Sequence, residues 1–263
     1  MPLANDPDLV LSGAAAREII SQCPALRVCH LTLRDREDSS VSVPGDNIEH
    51  TSLHTLYLHA TWDSTVAFTM RQLFTRLSLP GLRKFKLTGS SPLPPENPMR
   101  YFTPFLAAAP HLESLHATCD LFLQTGWLDF LRGLNSLQRL TLDYPSSLDD
   151  GFLDHLQWTG ADSCCPALRE LAITSDCTFS DAAVLRFVRS RMLAGSGRGL
   201  ERFEAYFGDG VVSSIDIRAA IQPLVDAGYA PPVLCLEYPQ LGLAPSYSPW
   251  DGVESIPWNK EDA

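Results

Sequence analysis

Seven segments of this 263-residue chain carry one phrase, Leu-x-x-φ-x-φ, in which φ is apolar. They are LRVCHL (26–31), LHTLYL (53–58), LRKFKL (82–87), LESLHA (112–117), LQRLTL (137–142), LRELAI (168–173) and LERFEA (200–205). The leading leucines stand 27, 29, 30, 25, 31 and 32 residues apart. The pentapeptide CPALR occurs at 23–27 and again at 165–169, and its 142-residue separation equals the sum of the first five gaps, so it is one register of the same series. Alternation in φ-x-φ makes a short strand with one buried face. One such strand cannot bury that face alone, whereas stacked copies continue each leucine column into the next. The phrase therefore predicts seven parallel strands in one sheet, beginning near residues 28, 55, 84, 114, 139, 170 and 202.

The segments between the phrases read mostly as helices. Val66, Met70, Leu73, Phe74 and Leu77 fall on one helical face, as do Leu123, Trp127, Phe130, Leu131 and Leu134. Asn97 before Pro98 has the form of an N-cap with proline at the first helical position. Ser147 and Ser180 can cap helices starting near Asp149 and Asp181. Ile217, Ile221, Leu224 and Val225 mark a last helix that Gly228 stops. VLCL (233–236) offers an eighth, shorter strand. The expected fold is an α/β solenoid of about seven irregular repeats, with a concave parallel sheet and convex helices. It spans residues 1–238, with an N-terminal cap helix at about 14–22. Residues 239–263, with Trp250 and Trp258, form an irregular tail or a cap over the last coil.

Twenty basic against 31 acidic residues give a net charge of −11, the wrong sign for nucleic acid or anionic lipid. No window reaches the ~20 apolar residues that span a bilayer. Seven cysteines fit reduced thiols, and with the broken apolar pattern of residues 1–22 they point to cytoplasm or nucleus. Three residues before each leading leucine stand Cys23, His50, Leu79, Ala109, Leu134, Cys165 and Gly197, a column that takes small or apolar side chains. Packing accounts for its cysteines. Cys164 and Cys165 are adjacent and no C-x-x-C spacing occurs, which argues against zinc. No cofactor motif is present, and no G-x-S-x-G, H-E-x-x-H or phosphate-loop phrase. GSGRG (195–199) follows a helix and leads into a strand, the reverse of a phosphate loop. Asp149 and Asp150 sit where a helix dipole favours acids.

The period and phrase resemble leucine-rich repeats, at the long end of their usual ~20–29 residues. CPALRELAITSDCTFSDAAVL (165–185) resembles the cysteine-containing repeats of F-box proteins, although Cys177 falls about one position late. LDDGFLDHL (148–156) repeats the Asp-then-helix phrase. Residues 14–207 together look like the repeat half of F-box-like proteins of mushroom-forming fungi. That resemblance implies a non-catalytic, substrate-recognising region of an SCF-type ubiquitin ligase receptor. The helical F-box of about 45 residues, opening on a Leu-Pro-x-Glu-like phrase, has no counterpart here, so binding of the SCF adaptor would need an F-box outside these residues. A stand-alone repeat protein with no ligase role is the alternative, and a hydrolase with dispersed residues a remote one.

In each phrase the residues flanking the φ positions point away from the core. The central column reads His30, Tyr57, Lys86, His116, Thr141, Ala172, Glu204; Lys84 and Arg139 stand in the column before it, and His59 in the one after. The aromatic and basic run in the first coils suits protein recognition. The expected partner-binding residues are His30, Tyr57, His59, Lys84, Lys86, His116, Arg139 and Thr141. His30 and His116 lie three strands of ~4.8 Å apart, too far to share a metal.

Overall fold

The computed structural model describes residues 11–33, 47–61, 73–90, 99–118, 130–143, 148–160, 163–194, 199–208, 211 and 213–238. Its strands are β1 (Val28–Leu33), β2 (Ile48–Glu49), β3 (Thr55–Thr61), β4 (Leu77–Ser78), β5 (Lys84–Ser90), β6 (Ser114–Thr118), β7 (Arg139–Asp143), β8 (Glu170–Cys177), β9 (Arg202–Phe207) and β10 (Val233–Glu237). Eight of them form one sheet in the order β1-β3-β5-β6-β7-β8-β9-β10, so neighbours in space are successive phrases of the chain. Every pairing is parallel. The seven expected strands begin at the expected residues, and the VLCL segment supplies the eighth. The pair β2–β4 forms a second, two-stranded parallel sheet.

The alternation predicted from the phrase is the alternation of burial. Cys29, Leu56, Phe85, Leu115, Leu140, Leu171, Phe203 and Leu234 make one buried row across the sheet. The leading leucines from Leu53 to Leu200 are buried beside them. Before the strand, the amide of Leu26, Leu82, Leu112, Leu137 or Leu168 donates to the carbonyl three residues back. At the one coil where histidine stands in that column, the turn is closed differently: the Leu53 amide donates to His50 Nδ1 at 3.1 Å, and His50 Nε2 donates to the Cys23 carbonyl at 2.9 Å. The buried imidazole thus has a backbone partner at each of its two nitrogens.

Helices cover the apolar face. They are α1 (Gly13–Gln22), α2 (Met99–Ala107), α3 (Asp150–His155), α4 (Asp181–Met192) and α5 (Ile217–Asp226). Phe102 and Phe105 of α2 pack around Phe74 and Phe85, with ring centroids 4.6–6.3 Å apart, and Phe187 of α4 meets Phe203 edge-on at 5.5 Å. Ser180 caps α4 as expected, accepting from the Ala183 amide at 3.2 Å. Ser12 and Asp216 do the same for α1 and α5. Gly228 stops α5 with φ of +94°, a conformation that costs a side-chain-bearing residue.

Three expectations are corrected. Leu77 is in a strand, not on a helical face, because Leu77 and Leu79 are buried while Ser78 between them is only half-buried, a period of two that the backbone of Ile48 pairs. The cap of α3 is Asp149, which accepts from the Gly151 amide at 2.9 Å. Cys23 is exposed, whereas Cys165 at the same place in the second CPALR is fully buried. Asn97, Ser147, the glycines at 195 and 197, the tail from 239 and the helical positions Val66, Met70, Leu123 and Trp127 lie outside the described residues.

Two buried charges tie neighbouring crossovers together. Arg191 is fully buried in α4, and its guanidinium donates to the carbonyls of Leu156 at 2.7 Å, Cys164 at 2.8 Å and Cys165 at 3.0 Å. Asp181, at the start of α4, accepts from the Ser214 amide and hydroxyl, the Ile215 amide and the Tyr238 hydroxyl, at 2.5–3.0 Å.

Six described cysteines are free thiols. Burial pushes Cys29 up to about 11 and Cys177 up to about 12, so neither forms a reactive thiolate near neutrality. Alkylation of the folded protein at pH 7 should modify exposed Cys23 and reach Cys165 and Cys177 only after unfolding. Mass spectrometry finding those two in a disulfide would contradict this placement.

Candidate functional site

All-parallel sheets are ordinarily covered on both faces. Here the face opposite the helices carries polar side chains in continuous register: His30 pairs with Tyr57, Tyr57 with Lys86, Lys86 with His116, and His116 with Thr141. The row continues through Ala172 and Glu204 to Cys235. Side chains of its first five strands surround a shallow depression of about 490 Å³.

Seven of the eight expected binding residues line that depression: His30, Tyr57, His59, Lys84, Lys86, His116 and Thr141. Arg139 does not. Its guanidinium turns to Glu170 on the next strand, at 3.0 Å. The His30 and Tyr57 rings meet at 4.4 Å between centroids and make a tilted aromatic pair. His59 Nδ1 lies 3.1 Å from the Thr88 hydroxyl one strand along. Among the described residues, the side-chain ammonium groups of Lys84 and Lys86 make no hydrogen bond or ion pair.

The sequence reading missed the partner of His116. Asp143 stands one strand over and two residues on, and its Oδ2 accepts from His116 Nε2 at 2.5 Å while Oδ1 accepts from the Thr174 hydroxyl at 2.6 Å. Burial alone would raise this carboxyl. The hydrogen bonds from His116 and Thr174, with the positive field of His116 and Lys86, outweigh burial and hold it below the usual carboxylate range. The signal was present as a diagonal neighbour across parallel strands, a pair that long side chains reach. An Asp–His pair suggests acid–base chemistry, but no hydroxyl is bonded to the other imidazole nitrogen of His116 among the described residues. No group of three metal-ligating side chains occurs among them either.

Charge along the face is graded. Arg83, Arg139, Arg169 and Arg202 each meet a glutamate: Glu113, Glu170, Glu201 and Glu204. Among the described residues, the depression itself is lined by neither Asp nor Glu, in a chain of net charge −11. No described helix is long and apolar enough to cross a membrane. Compared with known proteins, the sequence matches no family model and no curated protein.

Proposed function

We propose that this chain is a non-catalytic protein-binding scaffold, a leucine-rich-repeat solenoid that takes its partner on the open face of the sheet. The observation that carries this is the depression around Tyr57 and Lys86, where two lysines with no ion pair among the described residues and an aromatic pair stand on neighbouring strands. Tyrosine presents a large contact area at low entropic cost, and lysine and histidine add donors. The resemblance of residues 165–185 to F-box-protein repeats supports a narrower reading: the substrate-recognition region of an SCF-type ubiquitin ligase receptor in cytoplasm or nucleus. A stand-alone interaction protein is the second reading, favoured by the lack of an F-box phrase in these residues. A hydrolase built on the His116–Asp143 pair would need a nucleophile beside His116, and no described residue supplies one.

Tyr57→Ala combined with Lys86→Glu should abolish capture of the partner that the unaltered chain enriches from native lysate, with the melting temperature almost unchanged. Neither side chain belongs to the apolar core. The 263 residues alone should fail to bind the SCF adaptor. Capture retained by the double variant would move the site off this face, and adaptor binding would reveal an F-box that the sequence conceals.

A further inference from the structure

Arg83, Arg139, Arg169 and Arg202 each have a carboxylate of the chain, and His116 is hydrogen-bonded to Asp143. Among the described residues, the ammonium groups of Lys84 and Lys86 have no such partner; they stand two residues apart on β5, on the same face, within a depression that no described acid lines. From this mismatch, and resting on the proposed binding role of the face, we infer that the occupant is an acidic polypeptide segment whose Asp or Glu side chains pair with Lys84 and Lys86.

Three features select carboxylates on a peptide. Strand residues two apart are ~6.6–6.8 Å from each other, the spacing of alternate side chains on an extended peptide, so two carboxylates at alternate positions can meet both lysines. Among the described residues, no arginine lines the depression. They offer two point-charge ammoniums rather than the planar fork that favours phosphate. The rest of the chain carries an excess of acid that repels an anion elsewhere, so the patch also fixes where such a segment lands. Asp143 lies within the field of Lys86, but its hydrogen bonds are to His116 and Thr174 and no ion pair joins it to either lysine.

The test uses the full chain immobilised against three synthetic 12-residue peptide libraries with degenerate flanks. They differ at two alternate central positions: Asp/Glu, Asn/Gln, or phosphoserine. Retention of the Asp/Glu set should exceed the Asn/Gln set by about tenfold or more. It should fall steeply between about 50 and 500 mM salt. It should vanish in Lys84→Glu with Lys86→Glu, whose melting temperature confirms folding. Equal retention of the amide set, or unchanged retention by the double variant, overturns the inference. So does a clear preference for phosphoserine, which would make the site a phosphate reader. If no library is retained while the lysate partner still requires Tyr57 and Lys86, the acidic-segment inference fails and the binding role of the face stands.

Discussion

Arg191→Met should cost the folded protein on the order of 3–5 kcal/mol, read as a lowered urea midpoint. The thioether chain fills much the same volume, so packing loss is small. What is lost is the guanidinium's three hydrogen bonds, leaving the carbonyls of Leu156, Cys164 and Cys165 without their donor. Each buried orphan costs about 1–3 kcal/mol, partly offset because a cation no longer has to be desolvated. The Leu156 carbonyl lies at the C-terminal end of α3, where a helix favours positive charge. Cys165 adds a geometric reason: its φ of 46° is unusual for a residue with a side chain, and the guanidinium holds the turn there. Arg191→Lys should recover only part of the loss, because one ammonium cannot reach three carbonyls in fork geometry. A loss under ~1 kcal/mol for Arg191→Met would show that water reaches those carbonyls.

Asp181→Asn should cost on the order of 2–4 kcal/mol at pH 6, and the cost should shrink as pH falls. Burial acts to raise this carboxyl, but hydrogen bonds from Tyr238, Ser214 and Ile215 overcome it, so the folded-state value lies below the ordinary carboxylate range. A carboxyl depressed by folding contributes stability that is complete above its unfolded pKa, near 4, and is lost as pH drops through the folded value. The difference between the two proteins should therefore be constant from pH 7 to about pH 5 and narrow below about pH 4. The Tyr238 hydroxyl is pushed upward in turn, first by burial and then by its bond to Asp181, so it remains a donor throughout this range. An unfolding difference that stays constant down to pH 2.5 would show that folding does not lower the Asp181 carboxyl.

Positions fixed by periodicity were legible in the sequence, and positions fixed by crossover geometry were not. The phrase Leu-x-x-φ-x-φ located β1 through β9 of the main sheet to the residue, because its alternation is the burial pattern itself. The register row from His30 to Thr141 followed from the same phrase. Arg191 reads in sequence as one more basic residue in a last helical turn, ordinarily solvated. Its burial depends on carbonyls 26 to 35 residues away, which no local pattern marks. Arg139 was placed in the binding set by its column, yet column membership says nothing about the glutamate beside it on the next strand. His50 looked like an exception in an apolar column, and only the turn it closes explains why an imidazole fits there.

The order of the sheet bears on how the molecule is made. Each strand pairs with one only 25 to 32 residues away in the chain. Parallel sheets fold slowly when their partners are remote, because loop closure must precede pairing. Here no strand waits for a distant one. As the ribosome delivers the chain N-terminus first, β3 can pair with β1 long before β9 exists, and each later strand finds its template already in place. One edge of the sheet is β1 throughout and the other is always the newest strand, so the number of edges does not grow as the chain lengthens.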